Sequence, residues 1–531
     1  MPKKSIVSEN VQPANEVELE LLQICQEISD NVDFGVTDNL VAVGFSSLSF
    51  MKLNYEIHSR LDINLNFIDL IECSTVREIS NILNNENLYL FKKYEKRDFY
   101  PLTKNQTLIC HDRAKNPNIF KMFYTVKIYD VDVFKFKDAF IKAINMHPFL
   151  KASLINKNGT FYIKRDDYAD ISDLVNIYNL NKFDFDLFEK HLFEVDCDFY
   201  DDFFKSATTS YGDKFFYCVI VENDNNIIVR VLFDHITFDY YSISLLFSEI
   251  DKIYFEKEDK IEKEVIDGFD YNMFIIDDEK ESGDLLEKYR DEVINYGDLF
   301  IPLINEYEND CCEHDGLAYR LSKDLVQSFC NKYDIPYNRF FMATLALTLH
   351  KYSGLNKGIL PVVSNGRFFN ELMYTQHYLA KTIYLKFEFN EDMCLNDVFE
   401  NISQDMKRII TMEPNSYIFI YGNQWLFNFI ETGQDNLNFK LTDFNHDKNK
   451  PNFIKNVGKN FINDVEIFEI DDFYELYLKY HNKRYDKKYI SSFLNCWADI
   501  IQYIILNDDL DMNLSFLDDI YENYVVGDCN V

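Results

Sequence analysis

Hydrophobic positions in the first ninety residues recur with the spacing of helices. From Glu16 the series Val17, Leu19, Leu21, Leu22, Ile24, Cys25 and Ile28 marks one apolar face. A second series, Leu48, Met51, Leu53, Tyr55, Ile57 and Leu61, starts at about Ser47. The loop between them carries Gly35, Asp38 and Asn39. A short connecting element covers Ile63 to Ile71, and Ser74-Thr75 caps a last helix with Val76, Ile79 and Ile82. These patterns predict a small all-α four-helix bundle over 16–84, close to the lower size limit for independent stability. Residues 1–15 are polar, hold two prolines and lack a period, so they are expected to form a flexible lead-in.

Beyond a polar stretch at 85–99, read as a solvated linker, strand-like and helix-like patterns alternate. A strand is predicted from Phe120 to Ile128, then a helix through Phe134, Phe136, Phe140 and Ile144, then strands at Thr160–Ile163 and Phe215–Val221. Ile227 to Leu232 is a short β-branched run that reads as a buried strand, and the apolar spacing from Ile243 to Ile250 suits a helix. Further on, a helix from Asn338 to Tyr352 closed by Gly354 precedes strands at Gly358–Val363 and Thr382–Phe389. Mixed α and β elements are therefore expected over 100–520, with a tail at 521–531.

Composition narrows the function classes. The 531 residues are 47% hydrophobic, with 48 Phe and 36 Tyr, ample for large cores. A net charge of −35 argues against nucleic acid or an anionic membrane surface as partner, since both would repel it. Eleven cysteines are scattered without a C-x-x-C pair, which fits a reducing cytoplasm better than a disulfide framework or a zinc site. No apolar leader follows Met1-Pro2-Lys3-Lys4, and the run Phe340–Leu349 is too short for a membrane span, so a soluble cytoplasmic protein is expected. The histidines show no metal-ligand spacing, and no phosphate-binding glycine loop occurs.

The chemistry is concentrated in Phe233-Asp234-His235-Ile236-Thr237-Phe238-Asp239-Tyr240-Tyr241-Ser242. His235 and Asp239 stand in a strand-to-helix turn, a common place for catalytic groups. A lone H-x-x-x-D is usually a satisfied histidine beside a capping aspartate, so its neighbours decide its meaning. Three further landmarks stand around it in order: Pro101-Leu102-Thr103 with Gln106, then His147-Pro148-Phe149-Leu150-Lys151, and later Ser364-Asn365-Gly366-Arg367. In the N-terminal bundle, Asp38-Asn39-Leu40 is followed by Val43-Gly44-Phe45-Ser46-Ser47-Leu48.

The N-terminal pattern resembles the acyl or peptidyl carrier domains of nonribosomal peptide synthetases, and the ordered landmarks resemble the condensation domains of the same synthetases. The resemblance implies a carrier at 16–84 with 4′-phosphopantetheine on Ser47, where a helix N-terminus suits a phosphodiester. It also implies a two-lobed chloramphenicol-acetyltransferase-like domain over 100–520, its N-lobe at about 100–271 and its C-lobe at about 272–508. The active site would lie in a tunnel between the lobes. By the same match His235 is the catalytic histidine, and Asp239 is structural, pairing with a buried cation. Asp234 stands where the family has a first histidine, and Tyr240 where it has glycine, which places Tyr240 on the acceptor side.

The implied partners are an acyl or peptidyl thioester donor, an acceptor amine on a downstream carrier or free, a phosphopantetheinyl transferase, and adjacent synthetase modules. The expected function is amide-bond formation by thioester aminolysis. Two alternatives stay open at this point. Asp234, Asp239 and Ser242 also satisfy the D-x-x-x-x-D-x-x-S pattern of heterocyclisation domains, although the A-Y-x-x-G-R extension of those domains is poorly met by Leu108 to Arg113. A degenerate fold that only recruits a partner to the carrier is the other.

Overall fold

The computed structural model describes residues 11–525, except 84–92, 116–120, 181–213, 298–313, 413–424, 431–436, 444–462 and single positions 30, 46, 62, 64, 66, 225, 282, 368, 391 and 471. The expected lead-in, linker and tail therefore fall partly outside the described residues. Helices α1 (Glu16–Ser29), α2 (Ser47–Leu61), α3 (Phe67–Glu72) and α4 (Val76–Ile82) form where the apolar spacing puts them. They close over Leu21, Ile24, Leu53, Ile57, Leu70, Val76 and Ile79, all buried. Polar side chains shape the loop before α2. Asn39 Oδ1 accepts from the N–H groups of Val41 and Ala42 at 2.8 and 3.1 Å, and Asp38 Oδ2 accepts from that of Gly35 at 2.7 Å. This local competence for turns is the physical content of the Asp38-Asn39 pair.

The large domain has two main sheets. A small sheet of β1 (Phe99–Pro101), β3 (Ser153–Lys157) and β4 (Thr160–Lys164) flanks the first lobe. That lobe is built on β2 (Lys121–Tyr129), β5 (Val175–Asn179), β6 (Phe216–Asn223) and β7 (Asn226–Asp234). Strands β6 and β7 are buried along most of their length, which is why they read as near-continuous apolar runs. Helices α5 (Lys104–Lys115), α6 (Val133–Met146) and α7 (Tyr240–Tyr254) belong to this lobe, and α6 packs along α7.

The second sheet holds β8 (His314–Ser322), β9 (Lys357–Ser364), β10 (Lys381–Glu388), β11 (Trp425–Ile430), β13 (Asn463–Ile470) and β14 (Phe473–His481), in the order β10-β9-β11-β13-β14-β8. Helices α8 (Gly268–Glu281) and α9 (Gly283–Tyr296) lead into it, and α10 (Lys323–Lys332), α11 (Tyr337–Ser353), α12 (Leu395–Met412), α13 (Lys487–Asn507) and α14 (Phe516–Val525) cover it. Gly354 ends α11 at φ 67°, the left-handed cap that its sequence position predicts. Among the described residues α13 alone is long and apolar enough to cross a membrane; half of its most apolar stretch is buried in the second core.

Two boundaries differ from the sequence-based expectation. The first lobe does not end cleanly near Tyr271, because β12 (Lys440–Asp443) returns to pair antiparallel with β2, giving the order β12-β2-β7-β6-β5. Phe439 fixes this return, its ring 5.8 Å from that of Phe136 and 5.1 Å from that of Tyr254, while Asp251 accepts its N–H at 2.9 Å. The second lobe does not stop at Asp508 either. Leu514, Phe516, Leu517 and Ile520 are buried in the same core, so α14 is part of it.

Candidate active site

Strand β7 ends at Asp234 and α7 begins at Tyr240, so the intervening turn presents its residues at the junction of the lobes. Asp239 is the N-cap of α7, and its Oδ1 accepts from the Ser242 N–H at 2.7 Å. The Ser242 hydroxyl donates to the same oxygen at 2.7 Å, and the remaining partners come from the second lobe. Arg367 Nη1 lies 3.1 Å from Oδ2, and the N–H groups of Leu379 and Ala380 donate to the same oxygen at 2.9 and 3.0 Å. Burial alone would push the Asp239 carboxyl up, but Arg367 and the N–H and hydroxyl of Ser242 outweigh it and hold the group below the usual carboxylate range. The buried cation expected for Asp239 is thus Arg367, the last residue of the Ser364–Arg367 landmark. The pair is a staple between lobes.

His235 is the only residue from 231 to 239 that is not fully buried. Its Nδ1 lies 2.7 Å from the Phe238 carbonyl oxygen. A carbonyl only accepts, so the neutral ring carries its proton on Nδ1 and its lone pair on Nε2. Tyr378 packs on the ring at 4.5 Å between centroids. Burial holds the His235 pKa below its ordinary value; the Phe238 carbonyl, Asp239 and Asp234 oppose that shift and Arg113 adds to it.

Asp234 does not face solvent as an open base. Arg113, from α5, forms a two-pronged pair with it, both nitrogen–oxygen distances being 2.6 Å, and Asp234 Oδ1 also accepts from the Ile236 N–H at 2.9 Å. The Thr103–Gln106 landmark proves to be a reciprocal cap at the start of α5. Gln106 N–H donates to Thr103 Oγ1 at 3.2 Å, and Thr103 N–H donates to Gln106 Oε1 at 3.0 Å. The remaining Gln106 amide reaches the Ile236 carbonyl at 3.2 Å, tying α5 to the histidine loop.

His147 is buried away from the loop, between Glu249 of α7 at 2.9 Å and Glu264 at 3.0 Å. Burial opposes its charge, yet the two carboxylates prevail and raise it to about 10. It is a structural cation. Tyr240 leans on the first-lobe core, and α7 starts at it without a left-handed residue, so the turn accommodates a large side chain where glycine is usual. Sequence reasoning did not single out Arg113 as a site residue. Its signal was present as the arginine that closes the Leu108–Arg113 stretch.

Ser47 is the first residue of α2, just after Gly44 at φ 107°. Helix α2 rests on the loop that supplies Arg367. Met51 Sδ meets Asn365 Nδ2 at 3.3 Å, and the Tyr55 ring stands edge-on to that of Tyr374 at 4.7 Å. Tyr55 OH also donates to Glu262 at 3.2 Å, and the fully covered Met373 joins the core of the helical bundle. Ser47 thus opens a 15-residue helix, and a helix N-terminus suits a phosphodiester-linked arm.

A helical carrier seated on a two-lobed chloramphenicol-acetyltransferase-like fold, with a histidine where the lobes meet, is the architecture of a condensation domain preceded by its carrier. Residues 96–517 match the condensation domain family and residues 20–83 match the phosphopantetheine attachment site family. The chain belongs to the condensation-domain family of nonribosomal peptide synthetases, transferases that form amide bonds, and carries a phosphopantetheine attachment domain in front. Bacitracin synthase 2 of Bacillus licheniformis is 21% identical over 401 residues, covering 70% of this chain and 14% of that protein. Gramicidin S synthase 2 of Brevibacillus brevis is 26% identical over 163 residues, 29% of this chain and 4% of its own length. The chain thus spans a small part of the curated relatives it matches. The fold is shared with the condensation domain from Monacolin K polyketide synthase MokA, at TM-score 0.60 and 10% identity over 78% of this chain and 99% of that one. It is also shared with the X-domain from teicoplanin biosynthesis, at TM-score 0.59 and 12% identity over 80% and 99%.

Proposed function

We propose that this chain transfers an acyl or peptidyl group from its own carrier to an acceptor amine, with His235 as the catalytic residue and Ser47 as the attachment point of the arm. The observation that carries this reading is the 2.7 Å contact between His235 Nδ1 and the Phe238 carbonyl, which leaves Nε2 as the basic nitrogen. When bound, 4′-phosphopantetheine supplies a tethered thioester whose C–S bond is the one broken. The chain's own residues do the rest. Nε2 accepts a hydrogen bond from the attacking amine, takes up its proton as the C–N bond forms and returns it to the departing sulfur, which leaves as a thiol while the imidazole becomes neutral again. A neutral imidazole is required for that, and burial favours it. Asp239 acts at one remove, fixing the turn through Arg367.

The carrier is assigned to 16–84, the linker to 85–99 and the catalytic domain from 100, with Tyr240 beside the acceptor path. A phosphopantetheinyl transferase would load Ser47, and neighbouring synthetase modules would supply donor or acceptor. Cys25, Cys110, Cys218, Cys330 and Cys496 are buried free thiols, which fits a reducing cytoplasm. Plain amide formation is preferred over ring closure because Asp234 is engaged by Arg113 and the Ile236 N–H, whereas His235 is present and oriented. It is preferred over a recruitment platform for the same reason.

Intact-mass measurement after incubation with coenzyme A and a phosphopantetheinyl transferase tests the carrier: one arm is expected on the parent and none on Ser47→Ala. The catalytic claim is tested by single turnover of an acetyl-loaded carrier with small amines and aminoacyl carriers. His235→Ala is expected to slow product formation about 100-fold or more; a rate equal to the parent refutes the role of His235.

A further inference from the structure

Two carboxylates flank His235 in sequence, Asp234 and Asp239, and each is closed by its own arginine. Arg367 is the counter-ion of Asp239, its side chain 0% exposed against 2% for the carboxylate. Arg113 is that of Asp234, at 13% and 5% exposed. The second pair has the fork-on-fork geometry, both prongs at 2.6 Å, that fixes a guanidinium and a carboxylate in one plane. It is assembled at a place where the family resemblance leads one to expect a histidine, which would bring no negative charge.

The problem that Asp234 creates is electrostatic. A carboxylate next in sequence to a base favours the protonated base, and in a partly enclosed site one opposite charge within a few ångströms moves a titration by about 1–3 units. An imidazolium cannot accept a proton from an amine. We propose that Arg113 is a positioning residue of the reaction: by closing its two-pronged pair on Asp234 it cancels the carboxylate beside His235, and so keeps the imidazole neutral and the turn aimed between the lobes. This rests on the reading of His235 as the base.

The groups that face the imidazole fit the proposal. From its own turn come Asp234, Asp239 and the Phe238 carbonyl; from the second lobe, the Tyr378 ring; from α5, Arg113. Asp234 draws His235 towards the charged form and Arg113 draws it back, on top of the effect of burial. Arg113 is also placed by the landmark at the other end of its helix, since Gln106 pins α5 to the Ile236 carbonyl while Asp234 accepts the Ile236 N–H. Both polar groups of one peptide neighbour are thus used to set the distance between Arg113 and the histidine turn.

The test reads the imidazole itself. Diethyl pyrocarbonate acylates only neutral histidine, so its rate of reaction at His235, followed by peptide mass spectrometry on the full chain from about pH 5 to about pH 8, gives the titration midpoint. Relative to the parent, Arg113→Met is expected to raise the midpoint by about one pH unit, because Asp234 is left uncompensated. Asp234→Asn is expected to lower it by about one unit, because Arg113 is left uncompensated. The double variant Arg113→Met/Asp234→Asn is expected to return to the parent value. The acid limb of single-turnover amide formation is expected to move in the same order, the acceptor amine being common to all.

Should Arg113→Met not fold, Asp234→Asn and the double variant still decide, since removing the guanidinium in the Asn background must raise the midpoint. An unchanged midpoint in Arg113→Met, or no difference between Asp234→Asn and the double variant, overturns the proposal. Midpoints that move as expected while amide formation ignores them would instead refute His235 as the base, and with it the part of Arg113 in the reaction, leaving only its charge balance with Asp234 beside the imidazole.

Discussion

Arg367 reaches across the lobe junction to Asp239, with Nη1 3.1 Å from the carboxylate and its guanidinium carbon 4.4 Å from the centre of the Tyr241 ring. The same side chain donates to the Ser242 hydroxyl at 3.0 Å and to the carbonyl oxygens of Asn365 and Thr375. One residue therefore ties the histidine turn, the start of α7 and the carrier-bearing loop together. Breaking it leaves a buried carboxylate without its cation, a loss of about 3–5 kcal/mol.

Arg367→Met is accordingly expected to lower the melting temperature sharply, and Arg367→Met/Asp239→Asn to regain part of the loss. The sign of the pH dependence follows from the lowered carboxyl. Stability from Asp239 is present above the unfolded carboxylate value and is lost as pH falls through the still lower folded one. Thermal melts taken from neutral to acid pH should show a fall in the parent that the double variant lacks.

His147 makes the opposite prediction. Its folded value of about 10 lies above the unfolded 6.5, so its contribution is fully present below pH 6.5 and is lost as pH rises through about 10. His147→Gln is expected to be less stable than the parent at neutral pH. The gap in melting temperature should narrow steadily towards alkaline pH. A constant gap would mean that His147 packs there as an uncharged ring.

The seat of α2 predicts a difference between tethered and free donors. Tyr374→Ala removes the edge-on ring partner of Tyr55, and Tyr55→Phe removes only the bond to Glu262. The first is expected to slow transfer from the chain's own acyl-loaded carrier about tenfold, the second by a few-fold. Neither is expected to change reaction of a soluble acyl thioester offered to the same protein. Equal losses with both donors would place the defect in the catalytic turn instead.

Glycines at 44 and 366 separate strain from crowding. Both have positive φ, 107° and 71°, but an added Cβ at 44 meets nothing within 4 Å, whereas at 366 it would sit 2.0 Å from the Leu379 carbonyl oxygen. Gly44→Ala is expected to cost about 1–2 kcal/mol of carrier stability and little else. Gly366→Ala must move the Leu379 peptide, whose N–H holds Asp239, so it is expected to abolish most transfer even where the protein stays folded. Circular dichroism melts beside single-turnover rates make the comparison.

The sequence was most legible where structure is local. Ile227 to Leu232 and Ile243 to Ile250 announce a strand and a helix by period alone, and that already places His235 and Asp239 in one turn. What joins the turn to the rest is not local. Arg367 lies 128 residues from Asp239, and nothing in either neighbourhood states that they meet. Thr103 and Gln106 were visible as a landmark, while their capping geometry required the helix they begin. Arg113 was discounted because the residues before it fit their pattern badly, although only the guanidinium matters to Asp234. The strand at 440–443 escaped because four residues carry no period, and its partner β2 stands more than three hundred positions earlier.

That late strand bears on synthesis. Until residues 440–443 emerge from the ribosome, the first lobe has every other strand of its sheet but shows the bare backbone of β2 along one side, from Val126 to Tyr129. The nascent chain must keep this flank from pairing with a neighbour on the same message for the time needed to translate the whole stretch between. A fragment ending after the first lobe is thus expected to assemble into β-paired clumps, and a peptide spanning 437–443 added in trans to suppress them.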